Sequence, residues 1–197
     1  MEKRNIELKR KLMHLFLGII LVVLLKFGMV TKTHIFLLTI IVIILSFLSK
    51  KYKIPGVNWF LQNFDRDKDI KKFPARGFIY YLIGVFLVLQ FFSLDIAMAA
   101  ILVLAFADSI GHLFGMKFGK KKHPFVSKKF IEGWIAGLIA GFIGAVIFVP
   151  WYEALAASFF AMLVDGIEVK IGADEISDNL IIPLVAAIAI WSVRTLF

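Results

Sequence analysis

The chain is 197 residues long, 60% of them hydrophobic, with a formal net charge of +9 and no cysteine. Its mean hydropathy of +0.88 is far above that of a soluble domain, and the absence of cysteine excludes disulfides, thiolate metal sites and cysteine nucleophiles. In so apolar a chain, the positive balance points to basic loops facing anionic lipid rather than to nucleic acid.

Seven apolar segments fall near residues 10–30, 34–49, 77–93, 95–115, 130–149, 151–167 and 180–196, and several approach the roughly 20 residues that cross a bilayer. The first has no small-residue cleavage site and reads as a membrane helix rather than a removed signal. The N-terminus carries Lys3, Arg4, Lys9, Arg10 and Lys11, whereas the next link carries only Lys32. The loop at 50–76 carries eight Lys or Arg, the link at 93–95 none, the loop at 116–129 six, and the link near 150 none. Positive charge on every second connection predicts an all-α, polytopic membrane protein of about seven transmembrane helices, N-terminus cytoplasmic and C-terminus outside. Residues 1–197 read as one membrane-embedded domain. Within the longest loop, Trp59 and Phe60 predict a helix lying in the headgroup layer.

Gly111, Gly115 and Gly119 recur at every fourth position, as do Gly133, Gly137 and Gly141. Such ridges let helices pack closely in lipid, inside the chain or between two copies. Gly119 and Gly133 also border the basic loop, where a backbone without a side chain can approach phosphates.

Ionisable residues inside apolar runs are costly and mark function. Asp108 interrupts the fourth segment, with His112 one turn later on the same face. Asp165 and Glu168 end the sixth segment, and Asp178-Asn179 precede the seventh. By the alternation of loops these groups share the cytoplasmic half with Lys128, Lys129 and Glu132. Carboxylates and amide oxygens hold Mg²⁺, and lysines neutralise phosphate oxygens. This set suits a Mg²⁺-nucleotide handled at a membrane surface, and equally an ion network that only fixes topology. A proton relay through Asp108, His112, Asp165 and Glu168 would make a transporter, but leaves the lysine loop unused. His14, His34, His112 and His123 are too scattered for a four-histidine metal site. There is no G-x-x-x-x-G-K-[ST] loop and no G-x-S-x-G elbow.

Four stretches resemble the membrane family of CTP-dependent lipid kinases, which includes dolichol, phytol and diacylglycerol kinases and is more distantly similar to phosphatidate cytidylyltransferases. They are RKLMH (Arg10 to His14), RDKD…GFIYY (with Arg66, Asp69, Gly77 and Tyr80), ADSIGHLFGMKFGKKK…SKKFIEG, and DNLIIPL (Asp178 to Leu184). The resemblance implies transfer of the γ-phosphoryl of CTP to a membrane lipid alcohol, with Mg²⁺, on the cytoplasmic side of the cell membrane. It assigns nucleotide and metal handling to Asp108, Gly119, Lys128, Lys129, Glu132, Asp178 and Asn179. Asp108 and Asp178 would ligate the metal, with Asn179 as a neutral oxygen ligand. Lys128 and Lys129 would bind the triphosphate. Glu132 would orient Lys128 or take a second metal position, and Glu168 or Asp165 would accept the alcohol's proton. Arg10 and Lys11 read first as anchors of the opening helix and second as phosphate ligands. The runner-up activities are a lipid-phosphate cytidylyltransferase and a transporter.

Overall fold

A computed structural model describes residues 2–126, 129–167, 170–171, 174–175 and 177–196. The chain is helical nearly throughout. Among the described residues the strands are a single antiparallel ladder, Lys170–Ile171 against Asp174–Glu175. The long helices are α1 (Glu2–Lys26), α2 (Lys32–Ser49), α5 (Arg76–Phe91), a continuous rod built from α6 (Leu94–Val103) and α7 (Ser109–Phe118), α8 (Ile131–Ala145), α9 (Trp151–Asp165) and α10 (Asp178–Leu196). Two short helices, α3 (Pro55–Phe64) and α4 (Asp67–Lys72), fill the longest loop.

These long helices coincide with the seven expected segments, but they differ in reach. The second, the α6–α7 rod and α10 are long and apolar enough to cross a bilayer, at 18, 25 and 19 residues. Helices α8 and α9 have 15 residues each, about 22 Å at 1.5 Å per residue, against a hydrocarbon core of about 30 Å. Pro150 at the N-cap of α9 separates the two.

Local chemistry sets the helix ends. Gly28, at φ +68°, closes α1 in a Schellman turn: its N–H donates to Leu25 O, and that of Met29 to Leu24 O. His34 caps α2 by accepting the Thr31 N–H on Nδ1 at 3.1 Å. The entry to α5 is more strained. Ala75 holds a left-handed φ of +57°, and buried Asp65 clamps it, accepting the N–H groups of Ala75 (2.7 Å) and Arg66 (3.1 Å). Ser46 donates to Pro74 O at the same bend.

The α6 helix is the axis of the bundle, and every residue from Ile96 to Val103 is buried. Around it the packing is close because small residues face each other. A Cβ on Gly133 would lie 2.6 Å from Gly111 O, and one on Gly137 2.8 Å from Ala107 O. The glycine ridges thus face each other inside the chain, between α7 and α8.

At the far end Arg194 closes the bundle. Its guanidinium donates to both oxygens of buried Glu153 (3.1 and 2.6 Å) and to Asp95 (2.7 Å), joining the starts of α6 and α9 to the end of α10.

Candidate active site

The opposite end of the bundle opens into a cavity of about 430 Å³. Its walls come from the first half of α1, the starts of α5, α8 and α10, the length of α7 with the turn before it, the end of α9, and Arg66 and Asp69 at α4.

Asp108 stands at its base. The residues Leu104–Asp108 form a π-helical turn between α6 and α7, an insertion that frequently marks functional positions. Asp108 ends the turn, almost fully buried, where α6 gives way to the glycine face of α7. Asp165 is delivered by the last residue of α9 and Asp178 by the first of α10. One carboxylate oxygen from each of the three lies within 4.8 Å of the others. The sequence offers Asp165 and Glu168 as proton acceptors; the geometry groups Asp165 with Asp108 and Asp178, and Glu168 lies outside the described residues.

Two lysines hold this triad together. Lys11 Nζ lies 2.5 Å from Asp108 Oδ1. Lys129 Nζ donates to Asp165 Oδ1 and to its carbonyl, both at 2.6 Å, and reaches Asp178 Oδ2 at 3.5 Å. Burial pushes the Lys129 ammonium down, but the Asp165 and Asp178 charges outweigh it and hold it above its ordinary range. Asp108 Oδ2 is buried without a hydrogen-bond partner, and His14 Nδ1 is 4.0 Å away, also without one. His14 stacks on buried Tyr81 at 5.5 Å.

Asn179 is placed by a second device. Its Nδ2 donates to Gly77 O at 2.8 Å, joining α10 to α5. Pro183, four residues on, lacks the N–H that would bond the Asn179 carbonyl. That freed carbonyl abuts Gly84, where a Cβ would come within 2.7 Å of it. DNLIIPL therefore combines an acid, a bridging amide and a local release of the helix ladder.

Further cations line the cavity: Arg10, Arg66 and Arg76. Glu7 organises two of them, at 3.3 Å from Arg10 and 2.6 Å from Arg66. Burial raises the Glu7 carboxyl, but the hydrogen bond and charge of Arg66, with Arg10 and Lys11, overcome this and hold it at about 2. Burial also lowers the Arg66 guanidinium, and Glu7 more than restores it. Arg10 and Lys11, read first as anchors, both sit in the cavity.

The other expected site residues divide. Lys128 and Glu168 lie outside the described residues. Glu132 is not in the cavity wall; its carboxylate accepts the Lys121 N–H at 3.1 Å and fastens the α7–α8 loop to the start of α8. Gly119 ends α7 against the Phe130 ring, where a Cβ would collide, and does not line the cavity. In the same loop Lys122 lies 4.0 Å from the Phe130 ring centroid. Nothing in the sequence pairs Lys11 or His14 with Asp108. RKLMH carried the signal: Arg10 and His14 share a face at i, i+4, and Lys11 flanks it.

Comparison with known proteins bears on the chain as a whole. The cytidylyltransferase family model covers residues 1–192. An uncharacterised protein of Methanocaldococcus jannaschii is 30% identical over 190 residues, 93% of this chain and 92% of its own length. A CTP-dependent diacylglycerol kinase of Schizosaccharomyces pombe is 25% identical over 142 residues, 63% of each chain. No solved structure matches. With the match covering residues 1–192, the chain belongs to the cytidylyltransferase family, and the resemblance to CTP-dependent lipid kinases read from its motifs holds.

Proposed function

We propose that this protein is a CTP-dependent kinase that transfers a γ-phosphoryl group to the hydroxyl of a membrane lipid alcohol at the cytoplasmic surface. One observation carries the reading. Three carboxylates converge within 4.8 Å at the base of a cation-lined cavity, at the basic end of a bundle with helices long and apolar enough to cross a bilayer. The similarity to a CTP-dependent diacylglycerol kinase supports the donor and the acceptor class.

The residues fit a divalent cation. Three carboxylate oxygens offer hard ligands, and the buried, unpartnered Asp108 Oδ2 is an acceptor without a protein donor. Asp108, Asp165 and Asp178 would hold Mg²⁺, which when bound supplies charge neutralisation for the triphosphate. The protein's own part is positioning. Lys129, at the mouth of α8, exchanges a carboxylate contact for a phosphate oxygen as nucleotide enters. Arg10, Arg66 and Arg76 neutralise the outer phosphates, and Arg66 is held in its charged form by Glu7. Asn179 fixes the α5–α10 wall through Gly77. The lipid tail stays in the bilayer and only its hydroxyl enters the cavity. Polyprenols, isoprenoid alcohols such as phytol, and diacylglycerol all present that group.

The family match favours one second reading, a lipid-phosphate cytidylyltransferase using the same nucleotide site. Purified protein in vesicles containing these alcohols and their phosphates, given Mg²⁺ and CTP labelled at either the γ- or the α-phosphorus, separates the two. Lipid label only from γ-CTP is the expected result. Label only from α-CTP makes it a cytidylyltransferase, and label from neither rejects both.

A further inference from the structure

We infer that His112 is the group that accepts the proton of the lipid hydroxyl, an assignment that rests on the kinase reading above. His112 lines the cavity, and its Nε2 is buried with no hydrogen-bond partner. It follows Asp108 by four residues, so it shares that face of the rod about 6 Å nearer the cavity mouth. A hydroxyl placed beside the aspartate triad therefore lies within reach of the ring.

The setting of α7 adds a second argument. One side of this helix, Gly111 and Gly115, packs on α8. Phe114, Met116 and Phe118 are exposed apolar residues on the outside of the bundle. Met116 also lines the cavity, one turn beyond His112. The face carrying Asp108, His112 and Met116 thus runs along the boundary between a polar cavity and lipid, where an alcohol with its tail in the bilayer presents its oxygen. The core offers no such path, because α6 is buried from Ile96 to Val103.

Two other described acceptors already hold a cation. Asp165 and Asp178 are bound by Lys129. His14 is enclosed at 3% exposure and stacked on Tyr81, with its Nδ1 turned to Asp108 Oδ2 at 4.0 Å. In the reaction the lipid oxygen forms a bond to the γ-phosphorus as the bond from γ-phosphorus to the β,γ-bridging oxygen breaks. CDP leaves with that electron pair, and the hydroxyl proton passes to neutral His112 Nε2 and from there to water in the cavity. The charges acting on the ring are those of Lys11, Asp108, Glu7 and Lys129.

The test compares wild type with His112→Gln and His112→Ala in vesicles containing dioleoylglycerol or geranylgeraniol, with γ-labelled CTP and Mg²⁺. Loss of a positioned proton acceptor lowers turnover about 10²- to 10⁴-fold. The KM for CTP should stay within about threefold, since the triphosphate contacts are intact. Turnover within about threefold of wild type in folded His112→Gln overturns the assignment. So does a CTP KM that rises as far as turnover falls. If His112→Ala does not fold, the near-isosteric Gln variant decides. A wild-type protein that phosphorylates neither alcohol overturns the kinase reading, and this inference with it.

Discussion

Lys11 and Asp108 are 97 residues apart in sequence and 2.5 Å apart in space, and that contact sets the competition at the site. A divalent cation has to displace the ammonium from the carboxylate. Lys11→Met removes the competitor, so Mn²⁺ titration followed by spin resonance should show several-fold tighter binding. Turnover should fall, because a phosphate-facing cation is lost as well. Metal affinity that weakens instead would mean that Lys11 holds Asp108 in place for the ion. Glu7 makes a different prediction. Its carboxyl is depressed from 4.5 to about 2, so its ion pairs contribute stability fully above pH 4.5, and this fades as pH falls through 2. Glu7→Gln should remove that contribution at neutral pH. Because the carboxyl is partly exposed the cost is about 1 kcal/mol, and the melting temperatures of variant and wild type in detergent should converge as the pH is lowered. At this scale the sequence was partly legible. Asp108 and Asp178 stand out because each interrupts or opens an apolar run. The role of Lys11 does not, because a lysine at the start of a membrane helix looks the same whether it anchors in headgroups or turns inward.

Helix by helix, the bundle is held at both ends by different means. Near the cavity, glycine contacts bring α7 and α8 together; at the other end Arg194 ties α6, α9 and α10. Glu153 is buried and Asp95 substantially exposed, so the two partners differ in worth. Arg194→Met strands a buried carboxylate and should destabilise the protein by about 3–5 kcal/mol. Asp95→Asn should cost about 1 kcal/mol or less. Thermal unfolding in detergent measures both, and equal losses would mean that the exposed pair is the stronger one. Below its melting temperature Arg194→Met should keep wild-type turnover, because Asp95 starts the rod about 20 Å from Asp108. The small-residue spacing made the ridges visible in sequence, and Pro150 marked the break between α8 and α9. The π-helical turn left no such mark, because LAFAD has the composition of ordinary helix.

Across the whole molecule, polarity is divided between the two ends. The cavity and the basic loops occupy one, the Arg194 clasp and links with only Lys32 as a cation the other. The alternation of charge predicts that the cavity end faces the cytoplasm. The cysteine-free chain makes this directly measurable. Single cysteines at Lys71 or Lys121 should react with an impermeant thiol reagent only from the cytoplasmic side. Those at Thr31 or Trp151 should react only from outside. Labelling of both pairs from one side would require a different number of crossings. Hydropathy makes the number of helices legible, but not their reach. The 15-residue lengths of α8 and α9 depend on how closely their neighbours let them pack.

The π-helical turn has a further consequence, for which lengths of this chain can work. Each residue in a helix turns the next by about 100°, and the extra residue in Leu104–Asp108 keeps the buried face of α6 and the glycine face of α7 in phase with their separate partners. Deleting Ala105 would give a better-bonded helix and leave Asp108, His112 and both glycines in the sequence. One of the two faces would nevertheless swing away from its neighbours. A gene that lost this single codon would still encode every residue of the site, and yet the site would not assemble.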